Sequence, residues 1–228
     1  MYRYEQHCPV ARAAELLTEP WTLLVVRELL SGAQLRTEIV RGLPKMSASL
    51  LGARLRTLQD QDLVAAAPGA GGDHRYRLTD AGRALGPIVE QLGHWGQRWL
   101  AEPPLGDLDP ELLVYDICRE IDRARLPAQP LIVQVDFADA MRQRHWWLAL
   151  SADEVVARPG AEGTATVRLT CTLSALAGVW LGRRSWLQAV RDRSIMLGGD
   201  TAAVRTLIGC LGRSRYAPAA TPAEGSPV

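Results

Sequence analysis

The chain has 228 residues, 47% of them hydrophobic, and a formal net charge of +1. That is enough apolar material for two modest cores, and it excludes both a globally disordered chain and a polycation. No apolar run approaches the ~18 residues needed to span a bilayer. The start, Met1-Tyr2-Arg3-Tyr4-Glu5, lacks the apolar region of a signal peptide, and Cys8, Cys118, Cys171 and Cys210 are widely spaced. The expectation is a cytoplasmic protein with free thiols. Residues 1–100 hold 12 Arg and Lys against 10 Asp and Glu, and residues 101–228 hold 14 against 15, so any basic footprint is local.

Residues 10–17 are rich in helix formers, and Glu19-Pro20 interrupts them. Residues 21–31 are apolar on most faces, as in a central buried helix that Gly32 ends. A third short helix spans 34–41 and closes at Gly42-Leu43-Pro44. Ser47 then caps a helix running to about Gln61, with Leu51, Leu55 and Leu58 as its core stripe. Two short strands, 63–66 and 74–79, flank the turn-rich stretch Pro68–Asp73. Thr79-Asp80-Ala81-Gly82 opens one long helix whose apolar side (Leu85, Ile88, Val89, Leu92, Trp95, Trp99, Leu100) is long for a small domain. Part of it is expected to pack on a second subunit, with Leu92, Trp95 and Trp99 at the interface.

Helix, helix, turn, capped helix and hairpin is the order of a winged helix-turn-helix, in which the N-terminal end of the capped helix enters the major groove. Ser47, Ser49, Arg54 and Arg56 are then the base and phosphate candidates, with Lys45, His74 and Arg75 as backbone contacts. An ordinary capped helix with solvated arginines would show the same local pattern.

The blocks Cys8-Pro9-Val10-Ala11-Arg12-Ala13, Trp21–Leu30, Gly42-Leu43-Pro44-Lys45-Met46-Ser47, Arg54-Leu55-Arg56-Thr57-Leu58 and Tyr76–Leu85 occur in sequence. Together they make residues 7–99 resemble the HxlR-type family of winged-helix transcriptional regulators. The resemblance implies a homodimer on double-stranded operator DNA, joined through its terminal helices. Two departures stand out. The recognition helix carries Gly52 and Ala53 where the family often has polar or basic residues, Gly52 at about 1 kcal/mol of helix stability. The wing is thin in basic residues, which implies few phosphate contacts and modest affinity. Cys8 matches a position through which some members sense oxidants or electrophiles. That makes it the redox candidate, against the alternative of an ordinary buried thiol.

After a linker, the second half reads as a helix at 109–125, strands at 130–137, 145–150, 154–158 and 165–171, and helices near 173–181, 184–191 and 200–211. Residues 109–212, mainly 165–208 from Val167-Arg168-Leu169-Thr170-Cys171-Thr172 through Ile195-Met196-Leu197-Gly198-Gly199-Asp200, resemble the sterol-carrier-protein fold. That resemblance implies binding of an apolar small molecule without chemistry. Phe137, Trp146, Trp147, Trp180 and Trp186 are the ligand-binding candidates, although a closed core draws on the same residues.

The expected fold class is α+β. A winged helix-turn-helix domain (1–100) and a linker (101–108) precede a sterol-carrier-like effector domain (109–212) and a disordered tail (213–228). The four histidines show no metal-ligand spacing, and no nucleophile elbow, phosphate loop or dinucleotide fingerprint occurs. No cofactor, metal, membrane or catalytic role is expected. Two alternatives stay open: a hydrophobic-ligand carrier that uses the winged helices for dimerisation, and a thiol-based redox regulator acting through Cys8.

Overall fold

The computed structural model describes residues 2–69, 73–160 and 163–218. The chain divides into two units, residues 1–93 and 94–228.

The first unit opens with helices α1 (Pro9–Leu17), α2 (Thr22–Leu30), α3 (Arg36–Gly42) and α4 (Ala48–Asp60). Strands β1 (Val64–Pro68) and β2 (His74–Leu78) follow as an antiparallel hairpin that pairs Val64 with Leu78 and Pro68 with His74. Tyr76 N–H donates to Gln34 O at 2.8 Å, which ties the hairpin to the segment before α3. The core holds Val25 and Val26 of α2, Ile39 of α3 and the stripe Leu51, Leu55 and Leu58 of α4, as the i, i+4, i+7 spacing predicts. Beside it lies a fully buried carboxylate. Glu28 accepts from Arg27 Nε and Nη2 at 2.9 and 2.6 Å, and Arg27 Nη2 also donates to Gly42 O at 3.2 Å. Gly42 leaves the room for this: a Cβ there would stand 2.1 Å from Glu28 Oε2.

The expected single long helix after Thr79 is two. Thr79 caps α5 (Asp80–Arg83), accepting from Gly82 N–H at 3.1 Å, and α6 (Gly86–Trp99) begins after a break at residues 84–85. Pro87 is the cause, because it has no N–H for the carbonyl one turn back and its ring clashes with that carbonyl.

In the second unit, α7 (Pro110–Glu120) starts at Asp109, whose carboxylate accepts from Glu111 and Leu112 N–H at 2.8 and 3.1 Å. The helix ends at Glu120, short of the predicted 125, and a 3-10 turn covers Arg123–Arg125. The strands are β3 (Leu131–Phe137), β4 (His145–Leu150), β5 (Val155–Pro159), β6 (Val167–Cys171) and β7 (Ile195–Gly199). They form a mixed sheet of order β5-β4-β3-β6-β7 in which only β3 and β6 are parallel. Helices α8 (Leu173–Trp180), α9 (Trp186–Arg191) and α10 (Thr201–Leu211) complete it, capped by Thr172, Ser185 and Asp200. Alternate residues of β3 (Leu131, Val133, Val135, Phe137) are buried in a core shared with α7, α8 and α10.

The segment after α10 is not a loose tail throughout. Ser214 N–H donates to Trp180 O at 2.8 Å and Arg215 Nε to Glu120 at 2.7 Å. The remainder of the predicted disordered tail, residues 219–228, lies outside the described residues, as do residues 70–72 of the wing tip.

Candidate nucleic-acid interface

Helix α4 is fixed at its N-terminal end. Ser47 Oγ accepts from Leu50 N–H at 3.3 Å, and Ser49 Oγ stands 3.2 Å from Ser47 Oγ. Lys45, Ser47 and Ser49 are exposed in the turn and first helical turn, and Arg56 is exposed two turns on. The buried leucine stripe dictates this: with 51, 55 and 58 inward, positions 49, 53 and 56 point outward. In the wing, His74 and Arg75 are exposed. His74 sits 6.4 Å from the Tyr76 ring, and Arg75 Nη1 donates to Gln34 Oε1 at 3.1 Å.

Arg54 departs from the expectation. Its Nε donates to Pro20 O at 2.8 Å, its Nη2 pairs with Glu19 at 3.0 Å, and its side chain is 15% exposed. It fastens α4 to the turn between α1 and α2 and is not available to DNA. The leucine stripe spans ~100° of helix surface, and position 54 lies at its edge, where an arginine can turn inward to a carboxylate from a neighbouring turn.

The structure also brings in a residue that the sequence pattern does not single out. Arg36, at the start of α3, reaches across to α4, with Nη2 3.4 Å from Ala48 O. Its guanidinium lies over Gly52, which is buried beneath it. The local signal was the glycine itself, a helix-interior residue without a helical reason.

The aromatic set proposed for ligand binding in the second unit does not converge. Trp146 is buried opposite Val135, whereas Trp147 pairs with Gln134 and Arg158 on the other face of the sheet. A narrow apolar crevice does lie in the core, but Val114, Ile117 and Cys118 of α7, Val133, Leu176 and Leu207 are among its lining, and none of the five candidates is. It is about as wide as a single water molecule. Burial raises the Cys171 thiol to about 12 and the Cys210 thiol to about 11. Cys8 is half-buried at the N-cap of α1. Leu92, Trp95 and Trp99 of α6 are exposed.

Three helices, a capped fourth and a β-hairpin, with a polar and cationic outer face on the fourth, define the winged helix-turn-helix class. Residues 16–103 match the HxlR-like helix-turn-helix family. The HTH-type transcriptional regulator YvaP of Bacillus subtilis (strain 168) is 34% identical over 96 residues, covering 41% of this chain and 89% of YvaP. The chain belongs to that family. The HTH-type transcriptional regulator Rv3095 of Mycobacterium tuberculosis (strain ATCC 25618 / H37Rv) is 38% identical over 98 residues, 41% of this chain and 60% of that protein. The reduced form of the transcriptional regulator YodB from B. subtilis superposes with a TM-score of 0.37 at 25% identity, over 43% of this chain and all of YodB. The family match lies in the first half, and the sterol-carrier resemblance of residues 109–212 has no counterpart among these findings. Among the described residues, no helix is long and apolar enough to cross a membrane, and no cluster of His, Cys, Asp or Glu could hold a metal ion.

Proposed function

We propose that the chain is a DNA-binding transcriptional regulator that works as a homodimer and answers to an apolar effector held in its C-terminal domain. One observation carries the DNA reading. The outer face of α4 and the turn before it present Lys45, Ser49 and Arg56, and neither cation has an ion-pair partner among the described residues. Ser47 shapes the entry to the helix by capping it, and His74 and Arg75 supply the wing. Lys45, Arg56, His74 and Arg75 would contact the phosphate backbone or base edges.

Dimerisation is supported by unburied apolar surface. None of the nine residues of α1 is buried although the helix is amphipathic, and on α6 Ile88, Leu92, Trp95 and Trp99 are all exposed. The apolar lining of the crevice beneath α7 and α10 is what favours an apolar effector. The crevice has room for no more than about one water molecule, so an effector would bind a conformation in which these helices move apart. Its differential affinity for that conformation is what would shift DNA binding.

A gel shift on the DNA flanking the protein's own gene, titrated with salt and nonspecific competitor, tests the reading. A competitor-resistant complex supports it. No complex at low salt refutes it, and the carrier reading then takes its place. The redox reading rests on Cys8, a half-exposed thiol at a helix N-terminus. A Cys8→Ser protein that still loses DNA on oxidation would overturn it.

A further inference from the structure

Gly52 is the odd residue of α4. It lies in the second turn of a 13-residue helix, where a glycine destabilises by about 1 kcal/mol relative to alanine and no turn requires it. What occupies the space of its missing side chain explains it. A Cβ at Gly52 would stand 2.5 Å from Arg36 Nη2 and 3.5 Å from Arg56 Nη1. Two guanidinium groups, one from each helix of the helix-turn-helix, therefore converge on one point of the recognition helix. Arg36 gives Ala48 O a single long bond at 3.4 Å, and among the described residues Arg56 makes no hydrogen bond. Neither has an ion-pair partner among the described residues, in contrast to Arg27, Arg54 and Arg83 of the same unit, which pair with Glu28, Glu19 and Asp80. Two like charges held together without a carboxylate repel each other, and an electronegative group between them relieves the repulsion.

We propose that Arg36 and Arg56 form a two-pronged clamp over Gly52 for one electronegative group of the operator, a phosphate oxygen or the O6/N7 edge of a guanine. The glycine is present because the clamp lies flat against the helix axis. This rests on the DNA-binding reading and deepens it. The absence of a polar side chain at position 52 is then no deficit, since α3 supplies the cation that α4 lacks.

The test is Gly52→Ala. The atom a methyl would meet is the far end of a flexible side chain, so the substitution swings Arg36 aside and leaves the helix as stable as before or more so. Operator affinity should fall about tenfold, about 1.4 kcal/mol, while the melting temperature holds or rises. Arg36→Ala should lose a similar amount, and adding Gly52→Ala to it should lose little more, because both remove the same prong. A salt slope shallower by about 0.9 identifies a phosphate. An unchanged slope with weakened discrimination at one G·C pair identifies a guanine edge. Gly52→Ala with wild-type affinity overturns the clamp while leaving the DNA reading intact. Additive losses also overturn it, because the glycine would then serve the approach of DNA rather than the seating of Arg36. Failure of the wild-type protein to bind any operator DNA removes both.

Discussion

Arg54 and Arg56 differ by two positions on one helix and should respond in opposite ways to the same substitution. Arg54 donates to Pro20 O at 2.8 Å and to Glu19 at 3.0 Å from a side chain only 15% exposed. Hydrogen bonds to charged groups contribute about 1.5–3 kcal/mol. Partial exposure of both partners lowers the total, so Arg54→Ala should destabilise the first unit by about 2 kcal/mol. For a unit of this size that is a fall of about 10 °C in its melting temperature. Its effect on DNA should be secondary, with the salt slope of binding unchanged at temperatures where the unit remains folded. Arg56 is exposed and carries no such bonds, so Arg56→Ala should leave the melt within about 0.5 kcal/mol of wild type and weaken operator binding. Thermal denaturation by circular dichroism paired with a salt-titrated gel shift measures both. An Arg54→Ala protein with wild-type stability and a shallower salt slope would refute the division of roles.

Four further outcomes follow from the geometry. Gly42→Ala must dislodge the buried Glu28 carboxylate, 2.1 Å from the new Cβ. Disrupting its pair with Arg27 should destabilise by about 3 kcal/mol, read as a lower urea midpoint. At pH 8, dithionitrobenzoate should modify Cys8 and Cys118 in the native protein and all four cysteines only in denaturant, because the Cys171 and Cys210 thiols are raised to about 12 and 11 by burial. These raised thiols contribute stability that is complete below the ordinary value of 9.0 and is lost as pH rises from there towards 12, so urea midpoints should fall between pH 9 and 11. Trp95→Asp with Trp99→Asp, on side chains 54% and 63% exposed, should convert a dimer to monomers in sedimentation velocity without lowering helix content. An unchanged sedimentation coefficient would place the interface elsewhere.

The elements themselves were legible in the sequence, because they rest on local rules. Ser47 caps α4, the leucines at 51, 55 and 58 face the core, and the β1–β2 pairing brackets the turn-rich stretch. The break before α6 was legible too, had Pro87 been weighted against the apolar periodicity that runs across it. What the sequence did not reveal depends on partners distant in the chain. Arg54 turns inward because Glu19, 35 positions away, is there to receive it. Arg36 crosses to α4 because Gly52 leaves a place. In the second unit, composition named the large aromatics as pocket lining; that Trp146 and Trp147 face opposite sides was legible from strand alternation, but which of them is buried depends on the register against β3. The crevice forms instead where helices carrying valine, leucine and isoleucine fail to fill the space above the sheet.

The same pairing pattern accounts for how a nearly neutral head can hold a polyanion. The first hundred residues have a charge of only +2, but charge is not distributed at random between inside and outside. Arg27, Arg54 and Arg83 are each committed to a carboxylate, and Arg27 and Arg54 do so to hold α2, α3 and α4 in place. Lys45, Arg36, Arg56, Arg75 and Arg77 are exposed on the turn, α3, α4 and the wing and stand in no ion pair among the described residues. Stabilising pairs and the cations proposed to contact DNA thus come from different residues of one basic set. On that proposal, affinity for DNA follows which cations the fold leaves outside ion pairs, and a count of charges along the sequence measures neither the affinity nor its salt dependence.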